Sequence, residues 1–257
     1  MEEKRYNIDL CKGTGLIQET MILLDVFDKK ISKQDFLSKV IQENFLAKKS
    51  EKRIKDIVET GFFKRYVNDN SNVPYYLAQL KNNYISLNVL QQIFLIYTSR
   101  ANLILFDFIK DKYWPEINNG LVTFKNNYAK EFLNEIMKHN FILKWSESTQ
   151  NKMSSYLMSA LTDFKFIEKN GKIIPVFIND ITANYLIHEL HFSGLSDKDI
   201  IMAAEWKLFG LNKNEVINIV HRISLTGYFL FQYSDELYKI NWNYKSMNEF
   251  IDGIIKQ

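Results

Sequence analysis

The chain of 257 residues has a single cysteine, three prolines and nine glycines. One cysteine, Cys11, excludes an internal disulfide framework and fits a reducing compartment. Scarce proline and glycine, with 46% hydrophobic and 14% aromatic residues, disfavour disorder and long loops and point to a helix-dominated chain able to bury a core. No long apolar run is present: the most hydrophobic stretch, 84–109, is interrupted by Gln91, Gln92, Arg100 and Asp107, and reads as a buried helix pair rather than a membrane span. Met1 to Leu10 is polar, so no signal peptide is expected, and the sequence predicts a cytoplasmic protein. A net charge of +3 is too small to demand a nucleic-acid partner by itself, so the distribution of charge decides.

Catalytic patterns are equally sparse. Gly13-Thr14-Gly15 lacks the Gly-Lys-Ser/Thr of a phosphate loop and a preceding strand, and reads as a turn leading into a helix. His188 and His191 flank Glu189, but position 192 is Phe where a zinc-binding HExxH helix needs His. Cys11 stands in no recognisable nucleophile motif, and no serine stands in a nucleophile elbow. The expectation is a non-enzymatic protein without metal or cofactor.

What is present is best organised around 145–178. Met153, Tyr156, Leu157, Ala160 and Leu161 form one apolar stripe, predicting an amphipathic helix that begins near Ser148, with Ser146 or Ser148 as its cap. Two strand-like runs follow, Phe164–Ile167 and Ile173–Ile178, joined through Asn170-Gly171, a pair suited to a type I′ turn. Pro175 assigns the second run to an edge. A helix running into such a hairpin is the second half of a winged helix-turn-helix, whose helix presents Ser148, Thr149, Gln150 and Lys152 to a DNA groove and whose wing tip carries Lys169 and Lys172.

A shift of 64 positions sets Leu161-Thr162-Asp163-Phe164 on Leu225-Thr226-Gly227-Tyr228 and the turn Asn170-Gly171 on Ser234-Asp235. The possible repeat therefore spans 148–178 and 212–242, with Lys213 and Arg222 taking up the roles of the first helix. An unrelated α+β packing unit is the alternative. Exposed aromatics Phe229, Phe231 and Tyr233 are expected on the second wing.

Near the N-terminus, Thr14, Ser32 and Ser50 are candidate caps for three short helices that suit a helix-turn-helix. From Lys48 to Arg65 seven basic residues face three acidic ones, an excess of four in a chain whose total is +3. Lys48, Lys49, Lys52 and Arg53 are candidate phosphate contacts, with an ordinary solvated helix face as the bland alternative. The fold expected is mainly α: an N-terminal helix-turn-helix domain (1–70), a central helical bundle (71–143) and a winged-helix-like region (144–257), with the polar segment Asn68–Pro74 as a boundary.

These landmarks, in order, resemble a known family: Gly13 to Thr20, Glu43 to Ser50 running into Lys52-Arg53, Ser99-Arg100 with Asp107-Phe108, and Trp145 to Thr149. The chain resembles the small protein A of BREX bacteriophage-defence systems. The resemblance implies a mostly helical, non-enzymatic accessory protein that binds double-stranded DNA and works beside a methyltransferase, an ATPase and a phosphatase-like component. Members have also been likened to RNA-binding antitermination factors, which keeps RNA as a partner, and a protein assembly scaffold is the remaining alternative.

Overall fold

In the computed structural model, residues 6–67, 72–139, 145–235 and 237–256 are described. The polar boundary segment expected at Asn68–Pro74 falls partly outside them, at 68–71. The chain is mainly α-helical. A 3-10 turn, Asp9–Lys12, precedes α1 (Ile17–Val26), α2 (Lys33–Glu43) and α3 (Glu51–Lys55); α3 runs through a π-helical stretch, Asp56–Phe63, into α4 (Lys64–Tyr66). There follow α5 (Val73–Asn82), α6 (Leu87–Ala101), α7 (Leu103–Phe108), a second π stretch (Ile109–Tyr113), α8 (Trp114–Asn118), α9 (Asn126–His139) and α10 (Glu147–Asp163). The last part holds α11 (Asp180–Phe192), α12 (Asp197–Ile201), a 3-10 segment (Ala204–Phe209), α13 (Lys213–Ser224), β1 (Phe229–Ser234), β2 (Leu237–Trp242) and α14 (Met247–Ile255). Among the described residues no single helix is long and apolar enough to cross a membrane.

By its contacts the chain divides into two compact units, Met1–Ala78 with Phe94–Val176, and Gln79–Ile93 with Phe177–Gln257. In unit 1 the apolar stripe Ile54, Ile57, Val58, Gly61 and Phe62 is buried, as the sequence spacing requires. The π stretch widens the helix there, and its rings interlock with Phe36 of α2 and with Phe27 just after α1: Phe62 stacks on Phe36 at 6.1 Å and meets Phe27 at 5.6 Å. A Cβ on Gly61 would collide with Leu16, which explains glycine inside a helix, where it otherwise costs about 1 kcal/mol.

Thr14 does not cap α1, contrary to the sequence expectation. The position before that helix is Leu16, held at a left-handed φ of 50° with no side-chain cap. The Thr14 hydroxyl instead donates to the Asp163 carboxylate at the end of α10, and the Gly15 N–H donates to the same oxygen at 2.8 Å. From the other side the buried Arg65 guanidinium donates to the Gly13 carbonyl at 2.5 Å and to the Gly15 carbonyl at 3.3 Å. A tertiary clasp thus replaces a local cap.

Unit 2 packs α11 against α13 and α14, with β1 and β2 forming an antiparallel hairpin. Gln92 clasps the start of its long segment: its side chain donates to the Phe177 carbonyl at 2.8 Å and accepts from the Asn179 N–H at 2.9 Å. Asn212 and Glu215 close a capping box at the start of α13, satisfying two donors that a bare helix end leaves open. His188 is fully buried and stacks on Phe250 at 3.7 Å, while His191 stacks on Trp242 at 3.8 Å, so both imidazoles are packing groups.

Candidate nucleic-acid interface

The basic segment of unit 1 divides into cations that hold the fold together and cations that face solvent. Ser50 caps α3 by accepting from the Arg53 N–H at 3.4 Å. Arg53 is half-buried and donates to the Lys12 carbonyl. Lys48 pairs with Glu19 of α1 at 2.9 Å, and Lys64 pairs with Asp9. Burial pushes the Glu19 carboxyl up, but the bond from Lys48, a backbone hydrogen bond and the nearby Arg53 outweigh it, so the group lies below its ordinary value. Lys49, Lys52 and Lys55 are exposed and make no ion pair among the described residues. Arg53 and Lys48 therefore point partly inward, where sequence alone sets all four basic candidates outward.

The turn Asp9–Lys12 packs against both the π stretch that continues α3 and α10. Its Lys12 carbonyl receives Arg53, and its half-buried Cys11 lies in the field of Lys152 on α10. Burial raises the Cys11 thiol above its ordinary value, and Lys152 draws it back only in part. This turn brings two candidate regions together that are about a hundred residues apart in sequence.

Helix α10 starts at Glu147, with Ser146 as its cap, accepting from the Thr149 N–H at 3.3 Å. Two of the predicted groove residues are occupied at that start. The Thr149 hydroxyl lies 3.0 Å from that of Ser146, and the Gln150 amide donates to the Trp145 carbonyl at 3.0 Å. Ser148 and Lys152 face outward, and so do Ser155 and Ser159, which continue the same face at three- and four-residue steps. The sequence expectation ends one turn short of them, and extending the spacing from Ser148 and Lys152 finds both serines.

The hairpin after α10 is not the free wing expected. The turn runs over 168–171, with the Gly171 N–H donating to the Glu168 carbonyl at 2.8 Å and only Gly171 at positive φ (+85°). That is a type I turn followed by a glycine bulge, rather than the type I′ pair expected for Asn170-Gly171. Pairing is limited to a bridge between Ile167 and Ile173, and Ile173 is no edge: its N–H donates to the Val122 carbonyl at 3.2 Å, while the Phe124 N–H donates to the Gly171 carbonyl at 2.8 Å. No ladder extends through Pro175, which has no N–H to give. Lys169 and Lys172 remain exposed at the tip.

Unit 2 holds the other two candidates. Lys213 sits at the start of α13 with its ammonium 5.7 Å from the Tyr238 ring centre. Arg222 is bound at 2.5 and 3.2 Å to Asp180, whose hydrogen bond raises the guanidinium further above its ordinary value. The hairpin itself is fully paired from Phe229–Trp242 to Ser234–Leu237, so Ser234, expected in the turn by the internal alignment, belongs to β1. Phe229 and Phe231, expected outside, are buried with Tyr238 and Ile240 on the inner face. Alternation reverses the expectation: Leu230 takes the outer face, Leu237 is 75% exposed, and of the three aromatics only Tyr233 is exposed.

The comparisons with known proteins agree with this architecture. A crystal structure of an uncharacterized protein from Magnetospirillum magneticum is similar in fold, with a TM-score of 0.60 at 17% identity, covering 73% of this chain and 95% of that one. No curated protein matches. A family model described as BrxA matches residues 4–189, most of the chain and nearly all of unit 1, including the basic helix, the Asp9–Lys12 turn and α10. By that match the chain belongs to the BrxA family and is a component of a BREX bacteriophage-defence system.

Proposed function

We propose that the protein is a non-enzymatic accessory component of BREX defence in the cytoplasm, and that unit 1 holds double-stranded DNA mainly through its phosphate backbone. The observation that supports this reading most is the Asp9–Lys12 turn, which packs against both α10 and the π stretch that continues the basic helix and takes Arg53 on its Lys12 carbonyl. Around that junction Lys49, Lys52, Lys55 and Lys152 are exposed without carboxylate partners among the described residues, and Ser148, Ser155 and Ser159 supply an uncharged polar face. Cations of this kind release counterions when they meet phosphate, whatever the base sequence. In this reading α10 with its short hairpin, and α13 with β1–β2, are winged helix-turn-helix relatives, of which the first meets DNA.

Binding of a labelled duplex of arbitrary sequence, measured at several salt concentrations with matched RNA as competitor, tests this. The triple variant Lys49→Ala, Lys52→Ala, Lys152→Ala should weaken binding on every sequence and flatten the salt slope by about 0.9 for each phosphate that is no longer neutralised. An unchanged affinity and slope would overturn the assignment, and preference for RNA in the competition would transfer the same surface to RNA.

A second reading, a scaffold that binds another defence component, draws on the exposed Leu225, Leu230, Tyr233 and Leu237 around the hairpin of unit 2. It requires a complex with a methyltransferase, ATPase or phosphatase-like partner that survives high salt, and fails if none forms.

A further inference from the structure

Unit 1 contains a cleft of about 670 Å³ walled by the outer face of α10, the 168–171 turn and the chain leading into α9. That volume is in the range of small-molecule sites. Its polar groups are of two kinds. Lys125 and Lys169 stand on different walls, both exposed and without an ion pair among the described residues. Along α10, the Ser155 hydroxyl donates to the Asn151 carbonyl at 3.0 Å, Ser159 to the Ser155 carbonyl at 3.0 Å and Thr162 to the Met158 carbonyl at 3.1 Å. A hydroxyl whose proton is committed in this way presents only lone pairs to a ligand. Asp163, held by Thr14 and Gly15, adds carboxylate character at the same end, and the buried Asn126 Oδ1, also in the lining, has no hydrogen-bond partner among the described residues.

A cationic lip above an acceptor-lined wall excludes simple ligands. Inorganic phosphate would engage the lysines and leave the acceptors unmatched, and a polyamine would satisfy the acceptors but be repelled by the lysines. A nucleotide carries both complements, a phosphate and a base edge with N–H donors. We propose that this cleft takes one unpaired nucleotide, its phosphate between Lys125 and Lys169 and its base edge toward Ser155, Ser159 and Thr162. This goes beyond duplex contact, because in a duplex the pairing edges are occupied by each other and only an unpaired nucleotide can offer its pairing edge to a pocket. Two sources share that chemistry: a free mononucleotide, and a nucleotide in a single-stranded extension of DNA.

The test uses the full chain and three fluorescent probes: adenosine 5′-monophosphate, a blunt duplex, and the same duplex with a short 3′ single-stranded extension. The extension should raise affinity about tenfold, the equivalent of one charge-assisted hydrogen bond. That gain should vanish in Lys125→Ala/Lys169→Ala and in Ser159→Phe, which keeps both cations and fills the cleft. Mononucleotide binding that disappears in the same variants, with no gain from the extension, supports the proposal and identifies the free nucleotide as the source. No mononucleotide binding together with equal affinity for blunt and extended duplexes overturns it while leaving duplex binding intact. Binding only of the extended duplex keeps it and removes the duplex reading. A gain that persists in both variants also overturns it.

Discussion

In unit 1 the hairpin after α10 is short, has Lys169 and Lys172 at its tip, and borders a cleft along that helix that Lys125 and Lys169 flank; in unit 2 the hairpin after α13 is fully paired and exposes Leu230, Tyr233 and Leu237. Phe166 and Leu230 occupy equivalent positions in the internal alignment, yet Phe166 is wholly buried, with its ring 5.0 Å from that of Tyr113, and Leu230 is 53% exposed. The cause lies in what pairs with each hairpin. Val122 and Phe124 pair with the outer side of the first one through backbone hydrogen bonds, whereas β2 packs on α12, whose Asp197 carboxylate accepts from the Ile240 N–H at 2.8 Å. A similar helix-hairpin plan thus leaves a cationic, polar face in one unit and an apolar one in the other. The cations follow the same division: Lys152, Lys169 and Lys172 make no ion pair among the described residues, while Arg222 is bound to Asp180 and Lys213 lies against Tyr238.

The sharpest way to break this comparison is to reverse charge in each region in turn. Lys152→Glu with Lys169→Glu should lower duplex affinity about a hundredfold at low salt, since each change replaces attraction to phosphate with repulsion. Lys213→Glu with Arg222→Glu should change it about twofold or less. Anisotropy titrations under matched salt distinguish the two; equal losses would mean that both units meet DNA.

A smaller effect separates the units by acid stability. Burial drives the His188 imidazole down to about pKa 3, far below the 6.5 of an accessible histidine, so the folded state refuses a proton that the unfolded chain accepts. Its contribution is complete above pH 6.5 and falls as pH drops toward 3, a loss of about 2 kcal/mol by pH 5. Thermal melts from pH 7 to 5 should show unit 2 weakening along this curve, and His188→Phe should flatten it. In unit 1, Asp163→Asn should cost about 1 to 2 kcal/mol at neutral pH, because an amide oxygen accepts from Thr14 and Gly15 less strongly than a carboxylate. Urea unfolding measures that loss.

Local chemistry makes much of the fold legible in sequence. The caps Ser32, Ser50, Ser196 and Asn212 act where their side chains can reach the next turn, and the buried stripe that runs from α3 through its π stretch follows from its spacing alone. What the sequence does not disclose depends on partners distant in the chain. Thr14 resembles a cap because nothing local connects it with Asp163, 149 positions away. The hairpin at 168–171 resembles a free wing because nothing in 164–178 announces Val122 and Phe124 as its neighbours. The alternation of β1 is readable, but its phase is not, since a strand shifted by one residue exchanges its faces. Among the candidate contacts, the sequence groups residues by charge, and only the Lys12 carbonyl and Glu19 distinguish inward Arg53 and Lys48 from outward Lys49 and Lys52.

The smallest expected effect concerns the apolar hairpin. Leu237 and Tyr233 lie near the turn of β1 and β2, where removing their side chains opens no cavity. Leu237→Ser with Tyr233→Ser should therefore change stability by about 1 kcal/mol at most, through the stacking of Tyr233 on Phe231 at 5.4 Å, and leave duplex affinity unaltered. If these residues instead serve a protein partner, the same variant should lose that partner in a salt-resistant pull-down while its melting curve stays in place. Failure of this variant to bind DNA would erase the contrast between the hairpins, because an uncharged apolar tip has no electrostatic route to phosphate and could act on DNA only by inserting into a groove. A melting transition lowered equally by Leu237→Ser alone would show that the exposed leucine packs against the fold itself.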